Sequence, residues 1–223
     1  MPVASLQFGA ARYTGFTAQA ISLEQIHRYA GPKVPLLGIL GAGILRDYEV
    51  VIDYPHLRVT CYSLQAATPA PRPFVRQDSL AFTLVQGRPI TTGYIGQVPV
   101  RLLLDTGSVQ DNLDAAFCQT LAPANRPVLQ GTDYTTGASG QRQRTQLGTL
   151  PNLVLGEVTW QQMPVKMLHF ARPTSGRALD FQGTLGHLYL LQLQTFSFHY
   201  GRQQLYMLAP TTSQQPPSGE VVA

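Results

Sequence analysis

The stretch Val98-Pro99-Val100-Arg101-Leu102-Leu103-Leu104-Asp105-Thr106-Gly107-Ser108 decides how the rest of the 223-residue chain is read. Its first seven residues have the pattern of a buried strand, and the strand stops at an Asp-Thr-Gly-Ser turn. A carboxylate placed where an apolar strand ends is partly desolvated, so its pKa is sensitive to any second acid brought close to it. Glycine at 107 lets other backbone come near. Taken alone, Asp-Thr-Gly also reads as an ordinary Asx turn closing a strand.

On either side of this stretch the chain repeats itself, and a repeat has to be recognised before single elements are assigned. Leu36-Leu37-Gly38-Ile39-Leu40-Gly41, followed by Leu45, matches Phe181-Gln182-Gly183-Thr184-Leu185-Gly186, followed by Leu190, at an offset of 145 from Gly38 to Gly183. Leu6-Gln7-Phe8-Gly9 with Phe16-Thr17-Ala18 matches Leu153-Val154-Leu155-Gly156 with Met163-Pro164-Val165 at an offset of 147 from Gly9 to Gly156. Each Gly-x-x-Gly run leads to a paired-strand pattern, 50–53 with 57–62 around Tyr54-Pro55-His56, and 195–198 with 203–208 around Tyr200-Gly201-Arg202. Residues 1–64 therefore read as the second half of a unit that appears whole at 74–208. Residues 65–73, with Ala-Thr-Pro-Ala-Pro-Arg-Pro, read as a stiff linker, and 209–223 as a disordered tail.

Within the complete unit, short apolar runs at 80–85, 93–95, 98–104, 153–155 and 165–168 alternate with turn residues, which predicts an all-β lobe. Short helices are expected at 112–120, after Asp111, and at 185–191, with 23–29 and 40–47 in the half unit.

Taken together, Leu103-Leu104-Asp105-Thr106-Gly107-Ser108, the later Gly183-Thr184-Leu185-Gly186 and the Gly-rich segment between them resemble the retropepsin-like and pepsin-like aspartic proteases. The resemblance covers nearly the whole chain and implies an acid-protease β-barrel lobe preceded by a half lobe. In that family a hydrophobic-hydrophobic-Gly element packs under the Asp-Thr-Gly loop; Phe181-Gln182-Gly183 stands in its place, with Gln182 departing from the apolar pattern, and Leu36-Leu37-Gly38 fits better. Segment 131–140 lies where the family places its mobile flap, which puts Tyr134, Thr135, Thr136, Gly137 and Ala138 at or near the flap tip. The resemblance further implies that Asp105 is catalytic, that Thr106 locks two such loops together through its hydroxyl, that Gly107 allows their approach, and that Ser108 supports the carboxylate. The implied activity is peptide-bond hydrolysis by an Asp-activated water on a polypeptide bound extended, without cofactor or metal.

That chemistry needs two acids. The equivalent of Asp105 in the first copy falls about forty residues before Met1, and residues 1–64 contain no second Asp-Thr-Gly. Asp47 and Asp53 read instead as helix-end and hairpin-turn residues. Either the chain is part of a longer two-lobed protein, or two copies dimerise through the complete lobe and contribute one Asp105 each, or activity is lost. The different-class alternative is a non-catalytic module that holds an extended peptide between lobe and flap.

Composition narrows the rest. Charged residues make up 13%, about half the usual share, and the formal net charge is only +4 with scattered arginines, so nucleic-acid binding gains little support. Cys61 and Cys118 cannot form a disulfide framework or a zinc cage. His27, His56, His169, His187 and His199 lack metal-ligand spacing. The longest apolar run, 34–45, is too short to span a bilayer, and residues 1–5 lack a leader pattern, although an export signal could lie upstream; the compartment stays open. Gly41-Ala42-Gly43 faintly resembles a dinucleotide loop, but Arg46 takes the third glycine's place. Ser108 lacks the Gly-x-Ser-x-Gly elbow of serine hydrolases, and Trp160 and the tyrosines read as packing residues.

Overall fold

A computed structural model describes residues 1–8, 11–18, 20, 38–68, 70–136, 142–170 and 180–211. The described elements begin with β1 (Pro2–Phe8), β2 (Ala11–Thr17), α1 (Ala42–Leu45), β3 (Tyr48–Asp53) and β4 (Arg58–Ser63). After the Pro-rich segment come β5 (Phe74–Ala81), β6 (Thr83–Val85), β7 (Arg88–Ile95), β8 (Val98–Leu104), β9 (Asn112–Asp114) and α2 (Ala115–Thr120). The chain continues with β10 (Val128–Thr136), β11 (Arg142–Leu155), β12 (Val158–Leu168), β13 (Gly183–Leu185), α3 (His187–Gln192), β14 (Thr195–His199) and β15 (Gln204–Pro210). No described helix is long and apolar enough to cross a membrane.

The β1–β2 hairpin lies in one compact unit, and residues 40–135 and 142–211 form another. The larger unit holds an eight-stranded sheet in the order β10-β11-β12-β9-β13-β8-β7-β6, which β11 closes on itself by also pairing with β7 at Val154 and Tyr94. Val100, Leu102 and Leu104 of β8 point into the core at the strand's two-residue period. They meet Ile95, Leu113, Leu150, Leu153, Met163 and Leu185 in a single apolar cluster.

A second sheet has the order β4-β3-β14-β15-β5. Phe196, Phe198 and Leu205 bury one face of it in the same cluster, joined by Phe82. On the other face Glu49 is buried and accepts from Arg72, from Arg76 at 3.1 Å and from the Ser197 hydroxyl at 2.8 Å. Burial alone raises the Glu49 pKa, but the Ser197 hydroxyl and the two guanidiniums outweigh it and leave the carboxyl below its usual value.

Strand register carries the sequence repeat into three dimensions. In β1–β2, Leu6 faces Tyr13 and Phe8 faces Ala11; 147 residues later Leu153 faces Trp160 and Leu155 faces Val158 in β11–β12. In β3–β4, Val50 faces Cys61; 146 residues later Phe196 faces Met207 in β14–β15. Across the β3–β14 pair, Val51 sits opposite Ser197, its own counterpart at that offset, so a local pseudo-twofold axis passes between the two hairpins.

Several expectations are corrected. Residues 112–120 are not one helix: Asn112, Leu113 and Asp114 form β9, whose backbone pairs with β12 on one side and β13 on the other, and α2 starts only after Asp114. Asp114 accepts from the Phe117 amide as N-cap, whereas the Asp111 carboxylate is engaged elsewhere. Leu185 belongs to β13 and α3 begins at His187; α1 is shorter than 40–47. The run 80–85 is broken at Phe82, whose amide donates to the Gln203 carbonyl. The helix expected at 23–29 lies outside the described residues, as does the tail from 212 onward; β15 itself extends to Pro210.

Candidate active site

β8 delivers Asp105 to the rim of the barrel. β13 holds it there by running between β8 and β9, parallel to the first (Leu185 opposite Leu104) and antiparallel to the second (Gly183 opposite Leu113). The Asp105 amide donates to the Leu185 carbonyl at 3.0 Å, and the Ser108 amide closes the turn on the Asp105 carbonyl at 3.1 Å. Two glycines make this threading possible. A Cβ on Gly183 would lie 2.6 Å from Leu102 and 2.8 Å from the Asn112 carbonyl, and one on Gly186 would lie 2.6 Å from the carbonyl oxygens of Ser108 and Gln110. Gln182 departs from the apolar pattern because its side-chain oxygen accepts the Arg101 amide at 2.9 Å.

Within the turn, Asp105 is half-buried. Its Oδ1 accepts the Gly107 amide at 2.9 Å, and its Oδ2 has no partner among the described residues. Thr106 is exposed, with its hydroxyl unbonded among the described residues. Ser108 does not hold the carboxylate: its hydroxyl donates to the Gln110 carbonyl at 2.7 Å and accepts from Asn112 Nδ2 at 3.1 Å. Ser108 therefore stiffens the return of the turn, and its carbonyl receives the His187 amide at 2.7 Å.

Asp111, read from the sequence only as the residue before a helix, proves central to the geometry. It is buried, its Oδ1 accepts the Gly186 amide at 2.7 Å and the Tyr189 amide at 3.4 Å, and its Oδ2 is buried without a partner among the described residues. Desolvation pushes its pKa up to about 6, against the opposing pull of those two amides and of His187. Asp111 thus ties the segment after the Asp turn to the first turn of α3. The sequence signal available was an acid six residues beyond Asp105, a spacing that carries no chemistry by itself.

The segment expected to be the flap is the β10–β11 hairpin. Tyr134 is exposed with Arg142 stacked 4.1 Å from its ring centroid, Thr135 is half-buried with its hydroxyl oxygen buried and unpartnered among the described residues, and Thr136 closes β10. Gly137 and Ala138 lie outside the described residues. Lys166 of β12 bonds Asp133 at 2.6 Å and anchors the hairpin, holding the Asp133 carboxyl below its usual pKa. Between the hairpin's base and the segment after Asp105 is a cavity of about 170 Å³ lined by Gln110, Asp111, Gln130, Leu147, Pro164 and Leu188. A larger cavity of about 340 Å³ lies against Glu49, Tyr62, Arg72 and Phe74 and has no residue of the Asp turn in its wall.

No family model matches the chain, and no curated protein matches it. Among solved structures it is similar to a retropepsin-like aspartic protease from Rickettsia conorii, with 16% identity and a TM-score of 0.38 over 60% of this chain and 90% of that one. The fold class is all-β with a few short helices.

Proposed function

We propose that the chain is the Asp105-bearing part of an aspartic endopeptidase. The observation that carries this reading is the turn itself: a carboxylate with one oxygen unpartnered among the described residues at the rim of a closed barrel, beside an exposed Thr106 and braced by β13 from beneath. Two carboxyl groups about 3 Å apart do not both ionise, so one keeps its proton. The protonated acid donates toward the scissile carbonyl oxygen while the ionised one takes a proton from water. The water oxygen then bonds the carbonyl carbon, and collapse of the tetrahedral species breaks the C–N bond as the amine takes up a proton. Asp105 supplies one of these acids; an upstream half lobe or a dimer partner supplies the other.

Replacing Asp105 with Asn tests the reading in the protein purified from its source, with a mixed peptide library as substrate between pH 3 and 6. The expected result is a loss of about 10²–10⁴-fold in turnover with folding intact. Peptide binding without any cleavage in the unaltered protein would favour the binding-module alternative.

A further inference from the structure

We propose that the larger cavity, on the face of the second sheet that carries Glu49, binds a small monocarboxylate with an apolar body, its carboxylate held by Arg72 and Arg76. The site has no residue of the Asp turn in its wall and does not depend on the endopeptidase reading.

Charge sets the sign of the ligand. Arg72 and Arg76 line the cavity with Glu49 as the one carboxylate among its described lining residues, so the formal balance there is positive by one charge. Arg72 spends Nη1 and Arg76 spends Nη2 on Glu49. Each guanidinium has five N–H donors, and the rest have no acceptor among the described residues. Glu49 is 2% exposed, whereas the two arginine side chains are 32% and 36% exposed, so an incoming anion meets guanidinium and not the buried acid.

The two cations are held in place before any ligand arrives. Arg72 stands between Pro71 and Pro73, and proline on both sides restricts its backbone to extended conformations. The Pro73 carbonyl accepts the Thr211 amide at 2.9 Å and the Thr211 hydroxyl at 3.1 Å, which ties this segment to the end of β15. On β5, Asp78 lies opposite Met207 but Arg76 lies opposite Leu208, so Gln77 is the extra residue of a bulge, a device that re-aims the side chain beside it. The Arg76 guanidinium lies 3.9 Å from the Tyr206 ring centroid and that of Arg72 5.1 Å from Tyr62. Forks fixed in this way lose little freedom on binding.

Size and lining set the rest of the ligand. Val51, Phe74, Val75 and Leu208 give the cavity an apolar wall, and about 340 Å³ suits a small molecule. A planar carboxylate matches the guanidinium fork in the way Glu49 already does, and one surplus positive charge balances one negative charge, which disfavours a phosphate dianion. The carboxylate can belong to a free acid or to the C-terminal residue of a peptide.

Titration of the 223-residue chain with hexanoate and with N-acetyl-Ala-Phe, each beside its amide, tests this by calorimetry and by amide chemical shifts. The expected result is saturable binding of at least one acid with Kd below about 1 mM, shifts centred on Val51, Val75, Arg76 and Leu208, and at least tenfold weaker binding of the amide. Binding of hexanoate assigns the site to free acids; binding of the dipeptide alone assigns it to chain ends. Arg72→Gln is expected to weaken binding at least about tenfold. Val75 is 49% exposed, so Val75→Glu leaves the melting temperature within about 2 °C and abolishes binding by placing a second carboxylate at the cavity wall. Should Arg72→Gln fail to fold, Val75→Glu decides. The proposal is overturned if neither acid binds, if the amides bind as tightly as the acids, or if folded Val75→Glu binds with unchanged Kd.

Discussion

Asp111 shows how one carboxyl shapes the pH response of this site. Its folded-state pKa of about 6 lies above the unfolded value of 3.8, so between these values the folded protein holds a proton that the unfolded chain has released. Stability from this group is therefore greatest at acid pH and falls as pH rises through that window, by about 3 kcal/mol in all. Asp111→Asn keeps an oxygen for the Gly186 and Tyr189 amides and removes the charge. Urea unfolding of this variant is expected to show no such fall between pH 4 and 6.5. Glu49 acts in the opposite sense: its lowered pKa adds stability that is lost as pH drops below about 4.5. Glu49→Ala leaves Arg72 and Arg76 without their shared carboxylate and is expected to cost about 3 kcal/mol at pH 7, read as a shift in the urea midpoint. The place of Asp105 at the end of β8 was legible because the apolar run 98–104 stops at it. Asp111 was not, because its role depends on amides 75 and 78 residues away.

Among the elements, β13 matters more than its three residues suggest. It bonds both β8 and β9, and its flanking glycines leave no room for a methyl group. Gly186→Ala pushes a Cβ against two backbone carbonyls that cannot swing aside, and is expected to cost about 1–3 kcal/mol in thermal unfolding and to displace the Asp turn. Activity should then fall by more than the stability loss explains. The repeat of Gly-x-x-Gly in the sequence made this element visible. The strand β9 was hidden because Asn112-Leu113-Asp114 is too short for a period to be read; its partners β12 and β13 decide its conformation. The segment 131–140 was placed by its position relative to the Asp turn, and it falls on the paired strands β10 and β11 and the residues between them. The strand lengths were not legible, because an exposed polar strand such as Val128–Thr136 shows no apolar period.

For the whole molecule, the all-β fold class was readable because short apolar runs alternate with turn residues, and the internal similarity because the same pattern occurs twice in one chain. What sequence could not show is that the strands on either side of the Pro-rich segment share one sheet. β3 and β14 pair through a pseudo-twofold that no local pattern encodes. The account as a whole stands or falls on whether Asp105 cleaves peptides. The most direct measurement is turnover of a mixed peptide library by the protein from its source, with and without Asp105→Asn, at pH 4. The account predicts hydrolysis in the unaltered protein and a loss of about 10²–10⁴-fold in the variant. Hydrolysis that survives the substitution unchanged would contradict it.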